Sequence, residues 1–220
     1  MTFSLPECIF FDLDDTLYSP RLGIWQEISR RINRYLVERI GVRETEVDGI
    51  RERFFQAYGT TLNGLRAEYT VDPEDYLAYV HDIPLDRYLN RDSALHNMLS
   101  NLHQRKYIFS NADRPYILRV LEALGIQNLF DGIIDIFALG FACKPMDLAY
   151  WNALARAGSP APATCWLVDD LPQNLMPASR LGMTTVLVHQ KKASPGADYS
   201  IEDIYHLETL VAEADGLTLL

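Results

Sequence analysis

The sequence predicts an α/β fold: a doubly wound, mainly parallel sheet carrying a small α-helical domain inserted after the first strand. Three observations predict it. Short apolar runs without polar alternation recur along the chain, the pattern of strands buried on both faces. Helical patterns closed by glycine separate most of them. One long stretch, residues 19–92, breaks the rhythm with helical periodicity alone.

Taken in order, Glu7–Asp12 is an apolar, β-forming run that ends abruptly in acids. Residues 19–92 follow as the inserted domain. There Ile24, Ile28, Ile32, Tyr35, Leu36 and Ile40 recur at three- and four-residue steps and predict an amphipathic helix. Val47, Ile50, Phe54 and Tyr58 predict a second, and Pro73–His81 a third, with Tyr58–Arg66 read as a Gly- and hydroxyl-rich turn between helices. The core domain, residues 1–18 and 93–220, then resumes with predicted strands at Tyr107–Ser110, Ile133–Phe137, Thr164–Val168 and Thr185–His189. Helices are predicted at Pro115–Leu124, Met146–Ala157 and Pro172–Leu181, closed by Gly125, Gly158 and Gly182. Strands alternating with such helices call for right-handed crossovers.

Composition narrows the partners. The 220 residues are 48% apolar and 23% charged, enough to bury a full core without disulfides or a structural metal. A net charge of −10 without a basic stretch argues against nucleic acid polymers and anionic membrane surfaces. Cys8, Cys143 and Cys165 form no CxxC pair, which reads as free thiols in a reducing compartment. The apolar run Cys8–Phe11 is too short for a signal peptide or a membrane span, so the expected location is the cytoplasm.

Chemistry gathers at the strand ends. Asp12-Leu13-Asp14-Asp15-Thr16-Leu17-Tyr18 follows the first strand, and alternation lets Asp12 and Asp14 face one way while Leu13 enters the core. Two neighbouring carboxylates repel unless a divalent cation or a proton sits between them, and hard oxygen ligands suit Mg²⁺. A Ser110 hydroxyl and the backbone beside Asn111 can donate to phosphate oxygens near a helix N-terminus. Lys144 brings a compact positive charge suited to phosphate. Asp169 and Asp170 end another apolar run and can complete a metal shell, with Asn174 further on, although Asp170 can equally cap the next helix. Taken singly, each later piece also suits a turn or a cap; the order of the set and its position beyond the strands' carboxyl ends point to one crevice.

The ordered set DLDDT, SN, KP and VDD resembles the four motifs of the haloacid dehalogenase superfamily in its phosphatase branch, with residues 19–92 corresponding to a helical cap on a Rossmann-like core. The resemblance implies a Mg²⁺-dependent phosphomonoester hydrolase. Asp12 would be the nucleophile that forms a phosphoaspartate, and Asp14 the acid and base. Thr16 would fix the turn. The metal would lie on Asp12, the Asp14 main-chain carbonyl and Asp170, with Asp169 acting directly or through water. Lys144, Ser110 and the backbone around Asn111 would bind the phosphoryl group.

The segments YGTTLNGLR, LYSPRLGIW and NADRPYILRVLEALGI are similar to the pyrimidine 5′-nucleotidase group of that superfamily. That similarity implies nucleoside monophosphates such as UMP and CMP as substrates, with Thr60 and Thr61 among the cap residues over the site. Sugar phosphates or other small phosphomonoesters are the alternative substrates; a phosphomutase and a non-catalytic phosphate binder are the alternative functions.

Overall fold

Four consecutive apolar residues with no polar alternation can be satisfied only between two neighbours and under two layers. In the computed structural model, which describes residues 5–190, 192 and 194–214, β1 (Cys8–Phe11) has all four residues buried. It lies between β2 (Arg105–Phe109) and β4 (Cys165–Asp169), paired parallel to both. β3 (Gly132–Ile134) adds to β2, β5 (Thr184–Val188) to β4, and β6 (Tyr199–Ile201) to β5, all parallel. The sheet order is β3-β2-β1-β4-β5-β6.

The chain therefore builds outward from β1 in one direction, then crosses back to continue on its other side. That reversal between β1 and β4 is the topological switch point, where a crevice opens beyond the strands' carboxyl ends. Side chains alternate through the sheet. Phe10, Tyr107, Phe109 and Leu167 join one buried cluster with Tyr150, while Ile9, Phe11, Ile108, Trp166 and Val168 are buried outside that cluster.

The chain divides into two compact units, one formed by residues up to Pro20 and from Leu89 onward, the other by Arg21–Tyr88. The larger unit also holds α5 (Ser93–Asn101), α6 (Arg114–Leu124), α7 (Asp147–Arg156), α8 (Pro172–Arg180) and α9 (Leu207–Ala214).

The smaller unit consists of α1 (Ile24–Tyr35), α2 (Val47–Tyr58), α3 (Thr61–Glu68) and α4 (Pro73–His81). The α1 periodicity buries Ile24, Ile28, Ile32 and Tyr35, and the helix runs on through a π turn, Leu36–Ile40, to Gly41 at φ 83°. Arg51 of α2 ties α1 by donating to Ser29 Oγ at 2.8 Å and Asn33 Oδ1 at 2.6 Å.

Several elements depart from the sequence expectation. The expected turn at Tyr58–Arg66 is mostly helix, because Thr60 caps α3 by accepting from Asn63 N at 3.1 Å. The run Ile133–Phe137 yields only a short strand. Asp135 ends it by accepting from Ala138 N at 2.8 Å and Arg114 N at 3.0 Å, which pulls the backbone into a turn. The edge strand β6 and helices α5 and α9 were not foreseen.

Candidate active site

β1 runs straight into the first acidic group. Asp12 N donates to Val168 O at 2.9 Å, extending the ladder one residue past the strand. Leu13 is fully buried, and its carbonyl accepts from Leu17 N at 3.1 Å, which closes a tight turn. Asp15 takes φ 56° within that turn, the left-handed region that short polar side chains tolerate. Thr16 is buried, and its hydroxyl lies 3.2 Å from Asp12 Oδ2 and 3.5 Å from Asp170 Oδ1.

Lys144 comes from far along the chain. It is 2% exposed, and its Nζ lies 2.7 Å from both Asp12 Oδ1 and Asp169 Oδ2. Asn111, just beyond β2, grips the backbone that carries it. Asn111 Nδ2 donates to Lys144 O at 3.0 Å, and Asn111 Oδ1 accepts from Lys144 N at 2.8 Å. The Asn111 side chain thus holds the Lys144 backbone at both ends, using one Nδ2 hydrogen and one Oδ1 lone pair. Ser110 is buried, and its Oγ accepts from Ala112 N at 3.1 Å, so the hydroxyl proton remains to be donated.

β4 ends in the second acidic pair. Asp169 is fully buried and accepts from Asn174 Nδ2 at 2.9 and 3.1 Å and from Leu171 N at 2.9 Å, besides its bond to Lys144. Both its oxygens are therefore occupied. Asn174 is held in turn at the start of α8, where its carbonyl accepts from Tyr150 OH at 2.5 Å. Asp170 is only half-buried, with Oδ1 at the limit of reach of the Thr16 hydroxyl.

The electrostatics are lopsided. One oxygen from each of Asp12, Asp169 and Asp170 lies within 4.8 Å of the others, and one ammonium opposes the three carboxylates. Burial pushes the Asp12 carboxyl up to about 7, with Lys144 pulling it back and Asp169 adding to the rise. Burial, then the charges of Asp12 and Asp169, pushes Asp170 up to about 8. Burial works against the Lys144 charge, but the two carboxylates outweigh it and hold the ammonium well above its ordinary range. A compact set of hard oxygen donors short of positive charge fits Mg²⁺, which binds through one or two carboxylates.

Asp14 stands apart from that cluster. Its Oδ1 accepts from Tyr116 OH at 2.7 Å and from Tyr18 OH. Neither tyrosine was singled out from the sequence, yet both left a signal. Tyr18 follows Asp14 by four residues, a separation that one turn closes, and Tyr116 sits in the first turn of the helix that starts at the end of β2. Thr60 and Thr61 belong to the smaller unit, as the cap and first residue of α3.

Residues 6–182 match the family described as haloacid dehalogenase-like hydrolase. The chain belongs to this family. Among curated relatives of this hydrolase, phosphate metabolism protein 8 of Saccharomyces cerevisiae is 28% identical over 192 residues, 81% of the chain, and the chain spans 60% of that protein's length. A haloacid dehalogenase-type phosphatase from Thermococcus onnurineus has a similar structure, with a TM-score of 0.62 and 18% identity over 93% of this chain and 97% of that one. The magnesium-bound putative hydrolase YfnB from Bacillus subtilis matches at 0.62 and 16%, covering 96% and 99%. The L-2-haloacid dehalogenase of Xanthobacter autotrophicus, with chloropropionic acid covalently bound, matches at 0.58 and 15%, covering 94% and 98%. At these identities the structural likeness speaks for the shared fold.

Proposed function

We propose that this hydrolase is a Mg²⁺-dependent phosphatase that removes phosphate from small phosphomonoesters through a phosphoaspartate on Asp12. The observation that carries the reading is the convergence of Asp12, Lys144, Asp169 and Asp170 from three separate stretches of chain. A carboxylate nucleophile approaching a phosphate dianion meets charge repulsion, and this site concentrates the means to offset it.

In the first half-reaction an Asp12 oxygen attacks phosphorus, the bond to the leaving oxygen breaks, and Asp14 supplies that oxygen with its proton. In the second, water attacks the same phosphorus, Asp14 takes the proton, and the bond to Asp12 breaks to free inorganic phosphate. Lys144 neutralises phosphoryl charge while fixing Asp12, and Ser110 with the Asn111 main chain donates to phosphoryl oxygens. Asp169 holds Lys144 in place, Asn174 holds Asp169, and Thr16 bridges the two acidic turns. Asp12, Asp170 and the Asp14 carbonyl would hold Mg²⁺, which lowers the electrostatic barrier between the two anions. A dehalogenase attacking carbon has no dianion to admit and so no use for this acidic cluster.

For the substrate we propose pyrimidine nucleoside 5′-monophosphates, supported by the likeness of YGTTLNGLR and its companion segments to that group, with Thr60 and Thr61 as donors toward the nucleotide. The yeast relative's name, which refers to phosphate metabolism, agrees with the phosphatase reading.

Asp12→Asn should lower turnover at least about a thousandfold while the circular dichroism spectrum is kept. Chelation by EDTA should stop the reaction, and added Mg²⁺ should restore it. Wild-type rates in either experiment would rule the mechanism out. A phosphomonoester screen that favours sugar phosphates over UMP and CMP would replace the substrate and leave the mechanism standing.

A further inference from the structure

The hydrogen bonds to the Asp14 carboxylate that the described residues make all fall on one of its two oxygens. Oδ1 accepts from Tyr116 OH at 2.7 Å and from Tyr18 OH, and the two phenol oxygens lie 3.5 Å apart. Tyr18 is 5% exposed and Tyr116 1% exposed, whereas Asp14 itself is half-buried and keeps a face toward solvent. Burial, reinforced by the neighbouring Asp14 charge, pushes both phenols well above the ordinary tyrosine range. A phenol keeps its proton below about pH 10, so both hydroxyls are donors at neutral pH.

We infer that Tyr18 and Tyr116 are positioning residues for Asp14, which fix the rotation of its carboxyl and reserve Oδ2 as the oxygen that carries the transferred proton. This rests on the acid–base role proposed for Asp14 above. A carboxyl group can turn about its Cβ–Cγ bond and present either oxygen. Two donors on Oδ1 remove that freedom, since protonating Oδ1 would set a third hydrogen against the two already there. The proton then sits on Oδ2. It passes to the leaving oxygen as the phosphorus–oxygen bond breaks, and the charge left on Asp14 is met by two phenols already in place. When water attacks the phosphoaspartate, the same Oδ2 takes the water's proton. The donors are pre-oriented by burial and need no rearrangement between the two halves.

Proton delivery matters most when the leaving oxygen is strongly basic, and that supplies the test. Tyr18→Phe, Tyr116→Phe and the double variant keep the rings and remove only the hydroxyls. Turnover is measured on a series of esters from alkyl phosphate and phenyl phosphate to nitrophenyl and dinitrophenyl phosphate, beside the melting midpoint by circular dichroism. In kcat/KM, which reports the transfer to Asp12 and not the later hydrolysis of the phosphoaspartate, each single variant should lose about tenfold on alkyl phosphate and the double variant about a hundredfold. On dinitrophenyl phosphate the double variant should lose no more than about threefold. A uniform loss across the series, or no loss on alkyl phosphate in variants that melt cooperatively, would overturn the positioning role and leave the phosphatase reading intact. A wild-type chain that hydrolyses neither these esters nor UMP, CMP and sugar phosphates would overturn the phosphatase reading, and this inference with it.

Discussion

At the scale of single residues, Lys144 is a costly group to bury. Its ammonium is almost fully buried between Asp12 and Asp169, and Phe109 presents its ring 5.0 Å away. Taking an ammonium out of water is unfavourable unless its partners compensate, and removing it strands those partners in turn. Lys144→Met keeps much of the volume and deletes the charge, so two buried carboxylates face each other unopposed. Urea unfolding should show a loss of about 3 kcal/mol near pH 8. The loss should shrink toward pH 5, where the Asp12 carboxyl, already raised by burial, takes up a proton. The same variant should have no measurable phosphatase activity at either pH. The sequence made Lys144 visible only through its place in an ordered set, because a lysine before a proline is otherwise an ordinary loop residue. Asn111 carries a role that the sequence does not display: its amide bonds both the N–H and the carbonyl of Lys144 and so holds the backbone that bears the ammonium.

At the scale of elements, α2 and α3 meet where one residue has no side chain. A Cβ on Gly64 would lie 2.2 Å from Phe54 Cγ and 2.5 Å from Cδ1, far inside any tolerable contact. Phe54 is itself fully buried and flanked by Tyr58 and Tyr69 at ring separations of 6.1 and 6.4 Å. Helix propensity alone favours alanine over glycine by about 1 kcal/mol. Forcing a methyl group into a packed contact costs about 1–3 kcal/mol, and the overlap here belongs at the upper end. Gly64→Ala should therefore destabilise the protein, read as a lower melting midpoint, and Phe54→Leu in the same chain should recover part of the loss. Of the two glycines in YGTTLNGLR, Gly59 ends α2 at φ 82° in a turn between helices, as the sequence leads one to expect, whereas Gly64 serves the close approach of two helices. Composition could not separate these uses, because they differ only in what lies across from the residue. The α1 stripe was legible for the opposite reason: its four-residue repeat of isoleucine has one interpretation.

At the scale of the whole molecule, a protein of net charge −10 keeps a cluster of carboxylates at the switch point of its sheet. The charge resident there depends on protons and metal together. Asp12 and Asp170 have folded pKa values of about 7 and 8, above the range of an unfolded aspartate. The folded state therefore binds more protons than the unfolded state between about pH 4 and pH 8, and these two groups favour folding less as pH rises through that window. Mg²⁺ competes with the same protons. The rise in melting midpoint between EDTA and saturating Mg²⁺ should accordingly be larger near pH 8.5 than near pH 6, and Asp170→Asn should remove most of the difference. An equal rise at both values would mean that the metal does not sit on these groups. The parallel sheet and its acidic strand ends were open to view in the sequence, since uninterrupted apolar runs ending in aspartate have few other uses. β6 was not, because a three-residue edge strand buries too little to leave a pattern.

The order in which the sheet is assembled differs from the order in which it is written. β1 lies between β2 and β4, whose first residues follow its own start by about a hundred and about a hundred and sixty positions. A ribosome therefore releases the greasiest strand of the sheet well before either neighbour exists, and the Cys-Ile-Phe-Phe segment must wait while Arg21–Tyr88 emerges. During that interval the nascent chain offers a sticky, unpaired edge. Holding factors that shield such segments during synthesis stand to govern how much of this enzyme a cell recovers.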